Sequence, residues 1–360
     1  MDNMYAVIMA GGKGERFWPL STSKRPKQVL SLIAGKPMLS LAIDRLKGFI
    51  PPKRILVITS ASLVDVIREA TPELPPENII GEPFGRDTAA ACALGSAIVK
   101  SRSENAAFCI LTADHVIKNI DLFQQTLREG FELAFSRDVL VTIGIQPAFP
   151  STGFEYIEAG ETIENNGDIQ FKKAVRFVEK PDSETAASYL KAGNYFWNSG
   201  MFIWSVEAFQ KAIELYQPDL TAMASVMEKA VQTDEFSSIL KDEYEKLGKI
   251  SVDYAIMEKA DNIVSAVGKF GWFDVGSWPA LADHFDLDDS DNVLIGDCRI
   301  IDSEANIVYS EGRLTAMIGV QDLVVVQAEN ATLICPRNRA QEVKAMVKLL
   351  EDGGEHDHLL

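Results

Sequence analysis

The chain has 360 residues, 47% of them apolar, enough to bury a sizeable core and to divide into one large and one small domain. A formal net charge of −17 argues against nucleic acid or an anionic membrane as a partner. No stretch approaches the ~18 apolar residues that cross a bilayer, and the first apolar run is about six residues, too short for a signal-peptide core.

The four cysteines (Cys92, Cys109, Cys298, Cys335) lack CxxC spacing, which predicts free thiols in a reducing cytoplasm, and the histidines form no ligand cluster. Tyr5 to Ala10 reads as a buried strand, followed at once by Gly11, Gly12 and Gly14. Between Gly11 and Gln28 stand five Lys or Arg and one acid, Glu15, in an otherwise acidic chain. Glycine at a strand end lets bare backbone N–H groups approach phosphate oxygens, so the loop predicts a polyanionic ligand such as a nucleoside triphosphate. No Gly-Lys-Ser/Thr follows Gly14, which makes a P-loop a poor fit. Phe17 stands where a dinucleotide fingerprint needs its third glycine, and the next strand ends without an acid.

The run from Gly11-Gly12 through Gly14, Arg16 and Trp18-Pro19-Leu20-Ser21 to Pro26-Lys27 resembles the sugar-1-phosphate nucleotidyltransferases, and within them the mannose-1-phosphate guanylyltransferases. That resemblance implies GTP and mannose 1-phosphate as substrates, GDP-mannose and pyrophosphate as products, and Mg2+ as cofactor. It places Gly11, Gly12, Gly14, Arg16 and Lys27 on the triphosphate, with Arg16 and Lys27 also serving catalysis.

Downstream, Leu39, Ile43, Leu46 and Ile50 recur at helical spacing. Ile55 to Ser60, Ala107 to Thr112 and Val139 to Ile145 read as strands, and Ser62 is expected to cap the helix after the first of these. Strands alternating with amphipathic helices predict an α/β fold: a three-layer αβα sandwich on a mostly parallel, Rossmann-like sheet. Ligands of such sheets bind beyond the carboxyl ends of the strands. Glu82 to Ala91 (EPFGRDTAAA) is a loop entering a helix. By resemblance Gly85, Arg86, Asp87 and Thr88 lie against the nucleotide base, with Asp87 where the family usually has asparagine.

The strand-terminal Asp114 of LTADH is placed to hold a cation, and Mg2+ takes oxygen ligands. The resemblance makes Asp114 and Asp274, in GWFDVGSW, the two catalytic magnesium aspartates, and leaves His115 a supporting role. It also puts Gly153 near the sugar, Glu179 on sugar hydroxyls, Lys180 on the sugar phosphate and Asn198, in WNSGMF, on the sugar. Glu155 replaces a family glycine and either points outward or narrows the sugar pocket. Asp182 or Ser183 is expected to cap a helix that Gly193 ends, and residues from about 205 to 262 read as mainly helical.

After an acidic linker at 286 the chain turns β-rich. Ile295, Ile301 and Ile307 recur at six-residue intervals, which suggests a left-handed parallel β-helix, with a small β-sandwich as the alternative. The expected division is a catalytic domain over 1–285, a β-rich domain with a closing helix over 286–353, and a disordered tail over 354–360. The β-rich part is a candidate homodimer surface, and no further catalytic module is expected. Two other functions fit less well. One is making a glucose nucleotide from UTP, dTTP or ATP; the other is a non-catalytic regulatory subunit, which would be expected to lack one of Lys27, Asp114 and Asp274.

Overall fold

The first apolar run becomes β1 (Met4–Met9), flanked in parallel by β2 (Ile55–Ser60) and β4 (Ala107–Thr112), with β3 (Ile79–Glu82) beyond β2. The computed structural model describes residues 3–166 and 168–360. A short β5 (His115–Ile117) follows β4, and the large sheet continues through β6 (Leu140–Ile145), β7 (Tyr156–Asn166), β8 (Ile169–Val178), β9 (Tyr195–Ser205) and β10 (Ile263–Gly268). The order of its nine strands is β3-β2-β1-β4-β9-β6-β10-β8-β7. Strand β9 is antiparallel to both of its flanking neighbours, β4 and β6. Strand β8 is likewise antiparallel to β10 and β7. The remaining seven strands therefore share one direction, as the expected mostly parallel sheet requires.

Alternate residues of β1 serve two cores. Ala6 and Ile8 pack with Leu39, Ile43, Phe123 and Leu127 of the helices Met38–Asp44 and Ile120–Ser136. Tyr5 and Val7 pack under the helices Thr88–Arg102, Val206–Tyr216 and Pro218–Ala230. A strand covered on both faces has no solvent side, which is why it reads as an unbroken apolar run.

Local chemistry sets several boundaries. Asp182 Oδ1 accepts the Thr185 amide at 2.8 Å, and Gly193, at φ 75°, ends that helix. Ser62 does not cap the helix after β2. A 3-10 turn over Ala61–Leu63 comes first, and the Ser62 hydroxyl pairs with Ser60 instead. The small residues in the middle of β9 mark a bulge, with Gly200 at φ 64° and the Ser199 hydroxyl donating to the Ile143 carbonyl.

Strand β11 (Trp272–Asp274) leads out of the sheet towards the C-terminal part. There β12 (Val293–Ile295), β13 (Cys298–Ile301), β14 (Ile307–Ser310), β15 (Thr315–Ile318), β16 (Leu323–Gln327) and β17 (Thr332–Pro336) form stacked coils. β12, β14 and β16 pair in parallel on one side, and β13 and β15 on another. Val293 stands over Ile307 and Ile307 over Val324, so the coils are 14 and 17 residues long. The six-residue isoleucine spacing is therefore not the repeat: Ile307 is buried and Ile301 is 59% exposed. Asn306 ties two coil corners, donating to Asn292 Oδ1 while its own Oδ1 accepts the Leu323 amide.

This β-rich part is not a free appendage. Val293, Ile307, Val324, Val343 and Val347 share a core with Phe17, Trp18, Leu20 and Leu30 of the glycine-loop segment. The segment 354–360, expected to trail disordered, lies back on that loop. The Trp18 indole donates to the Leu359 carbonyl at 3.0 Å and the Ser23 hydroxyl to that of Leu360 at 2.7 Å. An indole N–H at a half-apolar surface needs an acceptor, and the returning backbone supplies one.

Candidate active site

A cleft of about 660 Å³ opens at the carboxyl ends of β1, β3 and β4. Gly11, Gly12, Gly14, Arg16, Lys27, Gly85, Arg86, Asp87, Thr88, Asp114 and Asp274 all line it. The fold thus gathers the residues singled out for nucleotide, catalysis and metal along one wall. The loop is held from behind: Gln28 donates to the Gly12 carbonyl at 2.8 Å and the Ser21 hydroxyl to that of Lys13. Gly14 sits at φ 70°, and a Cβ there would stand 2.5 Å from Lys27 Cβ, so both backbone and packing demand glycine.

Lys27 is the buried cation of the cleft. Its ammonium lies 2.9 Å from Asp114 Oδ2 and over the Phe17 ring. Burial pushes the Asp114 carboxyl up, but the neighbouring positive charge, Lys27 foremost, more than offsets this and holds it below its ordinary value. Asp274 is driven the other way, above its ordinary value, by burial and then by repulsion from Asp114. The two aspartates meet through pairing between β11 and β5, where Asp274 is the partner of His115. One donor atom each from Asp114, His115 and Asp274 fits within a 4.8 Å span. Two converging carboxylates, one of them paired with Lys27, suit a hard divalent cation. His115 packs edge-on against Trp272, and burial lowers its imidazole to about 3, so it stays neutral near pH 7.

The base end differs in detail from expectation. Arg86 does not offer its guanidinium freely: it donates to the Tyr244 and Glu245 carbonyls at the end of the helix Phe236–Glu245. Asp87, at φ 67°, uses Oδ1 to accept the Thr88 amide and so starts the helix Thr88–Arg102. Thr88 in turn accepts the Val252 amide. The acid left facing the cleft there is Glu82, whose carboxyl accepts the Tyr244 hydroxyl and is raised to about 7 by burial.

The residues assigned to the sugar lie apart from that wall. Glu179 accepts the Tyr254 hydroxyl, and Lys180 lies 3.6 Å from Glu179. The Asn198 amide donates to Glu155 Oε2 at 3.1 Å and Asp253 Oδ1 at 2.8 Å, so Glu155 points inward. Gly153 is exposed, and its amide donates to the Ser151 hydroxyl.

Several contributors escape a reading of the sequence. Arg45 is buried and ties the Thr112 and His115 carbonyls, fixing the turn that carries Asp114. Its signal is an arginine beside the apolar face of the first helix. Glu82 ends a strand of the parallel sheet, a position that could have marked it. Lys249 and Lys344 also line the cleft, and nothing local in the sequence marks either. Lys344 comes from the C-terminal helix and lies 3.8 Å from Glu15 of the glycine loop.

Among the described residues no helix is long and apolar enough to cross a membrane. Residues 5–290 match the family described as Nucleotidyl transferase, and residues 296–350 match the MannoseP isomerase/GMP-like beta-helix domain. The mannose-1-phosphate guanylyltransferase of Escherichia coli K12 is 38% identical over 99% of this chain and 75% of its own length. That of Salmonella montevideo is 37% identical over 98% of this chain and 75% of its own. A crystal structure from Thermus thermophilus, described as a mannose-1-phosphate geranyltransferase, superposes with a TM-score of 0.86 at 33% identity. It covers 97% of this chain and 99% of that one. A match that runs from the first strand past the last motif of the cleft makes this chain a member of the nucleotidyl transferase family.

Proposed function

We propose that this chain transfers the guanylyl group of GTP to mannose 1-phosphate, giving GDP-mannose and pyrophosphate. The observation that carries the reading is the single cleft in which the glycine loop, Lys27 and the Asp114–Asp274 pair converge. Relatives named for this reaction, similar over almost the whole chain, supply the substrate pair. The catalytic unit is residues 1–285, and the β-rich unit 286–353 buttresses its loop.

A sugar-phosphate oxygen attacks the α-phosphorus; the bond to the β-phosphate bridge breaks, and pyrophosphate carries away the electron pair. The attacking group is already an anion, so no side chain has to remove a proton. Bringing two polyanions together is the main difficulty, and positioning with fixed countercharge answers it. The Gly11–Gly14 amides and Arg16 take the leaving phosphates, with Lys344 beside them. Lys27, held in place by Phe17 and Asp114, serves the phosphates nearest the reacting centre, and Lys180 takes the sugar phosphate. Asp114 and Asp274 would hold Mg2+, which when bound supplies charge neutralisation across the phosphate oxygens. Glu82 and the loop at Gly85–Thr88 receive the base. An acid there can accept from guanine N1–H and its amino group.

The test is pyrophosphate release from GTP, ATP, UTP and dTTP, each with mannose 1-phosphate or glucose 1-phosphate, with and without Mg2+. Metal-dependent turnover led by GTP with mannose 1-phosphate is expected. A different leading pair would overturn the substrate assignment, and no turnover in any well would overturn the reaction.

A further inference from the structure

Asn198 is the residue by which the resemblance reads the sugar, yet both of its N–H donors are already in use. A side-chain amide has two N–H donors and one carbonyl oxygen. Both donors go to carboxylates, Glu155 Oε2 and Asp253 Oδ1, and the oxygen accepts the Gly200 amide at 3.2 Å. Each carboxylate keeps one oxygen that Asn198 does not take.

The sheet register puts these groups together. Tyr156 pairs with Val178 on one side and Trp197 on the other. One step further along the three strands, Glu155 is level with both Glu179 and Asn198. Asp253 arrives from the π-helical turn Asp253–Met257, and its neighbour Tyr254 holds Glu179. Glu155 lies in the field of Asp253, Glu179 and Lys180, the last two being the residues assigned to sugar and phosphate. Carboxylate oxygens are acceptors only, so what they read is a hydroxyl.

We propose that Glu155 and Asp253, aligned by Asn198, form a hydroxyl-reading pair that determines which sugar 1-phosphate this chain accepts; this rests on the function proposed above. Asn198 is then a positioning residue. A site built to bond a hydroxyl discriminates strongly against analogues that lack it, because its buried acceptors are left unpaired.

The experiment measures kcat/KM at saturating GTP for Glu155→Gln, Asp253→Asn and the unaltered protein. The acceptors are mannose 1-phosphate and its 2-, 3-, 4- and 6-deoxy analogues. Glu155→Gln is expected to lose ~10-fold or more on mannose 1-phosphate, chiefly through KM, as for loss of a charge-assisted hydrogen bond. That loss should vanish for the one analogue lacking the hydroxyl that Glu155 reads. Asp253→Asn should behave likewise, and it carries the same test should Glu155→Gln fail to fold. A loss equal on every analogue, or none, overturns the inference while leaving the reaction standing. Absence of turnover by the unaltered protein overturns both.

Discussion

The glycine-loop wall of the cleft and the separate cluster assigned to the sugar solve different problems with different materials. At the phosphate wall the groups are backbone amides, the buried Lys27 and the more exposed Arg16. Gln28, Ser21 and Phe17 fix them, and the C-terminal coils pack behind. In the sugar cluster they are carboxylates, Glu155 and Glu179 at strand ends and Asp253 on a π-helical turn, tied mainly to one another through Asn198 and Tyr254. Phosphate is large, symmetric and highly charged, so geometry and countercharge suffice to hold it. A sugar is distinguished only by where its hydroxyls point, and reading that takes aligned side-chain acceptors. The contrast predicts that changes at the phosphate wall alter rate, whereas changes in the sugar cluster alter choice of substrate.

The largest effects should come from the reacting centre. Lys27→Ala and Asp274→Asn are each expected to cut kcat by ~100-fold or more, the scale of losing one preorganised electrostatic group. Steady-state rates near those of the unaltered protein would refute the assignment. Gly14→Ala comes next. Its Cβ would press on Lys27, and a left-handed backbone costs an alanine about 1–2 kcal/mol. We expect kcat/KM for GTP to fall at least ~10-fold, with less change in the affinity for mannose 1-phosphate, as fluorescence titration would show.

Glu82 gives a prediction in pH. Its folded carboxyl sits at about 7, above its ordinary value of 4.5, so between those values the folded state binds more protons than the unfolded. Stability is therefore lost as pH rises through this window. Glu82→Gln should flatten that slope, with a difference of at most about 3 kcal/mol above pH 7. Parallel denaturation curves for both proteins from pH 5 to 8 would contradict it. The smallest effect belongs to Lys344→Ala. An exposed cation contributes up to ~1 kcal/mol, so KM for GTP should rise a few-fold with kcat unchanged. An unchanged KM would confine the C-terminal unit to mechanical support.

How much of this was legible depends on how local the signal is. Strands β1, β2 and β4 show in the sequence because both faces are buried, and the glycine loop shows because Gly14 has no substitute. Asp182 and Gly193 announce their helix by side-chain and backbone preference alone. The meeting of Asp114 with Asp274 depends on pairing between β5 and β11, and no local pattern encodes it. The docking of the β-rich unit is equally hidden. Phe17, Trp18 and Leu20 follow no period, and their partners in that unit lie far along the chain, from Val293 onward. The isoleucine spacing misleads because coils of 14 and 17 residues turn different faces inward at Ile301 and Ile307. Arg86 and Asp87 look like ligands for a free nucleotide, yet much of their hydrogen bonding holds the loop itself.

The reaction proposed here passes the guanylyl group directly from the glycine-loop wall to the sugar phosphate, with no covalent stop on the protein. The most direct measurement is the configuration at the α-phosphorus of the product, starting from GTP with sulfur at that phosphorus in known configuration. A single in-line displacement predicts inversion. Retention would require a guanylylated residue as an intermediate and would rule out direct transfer.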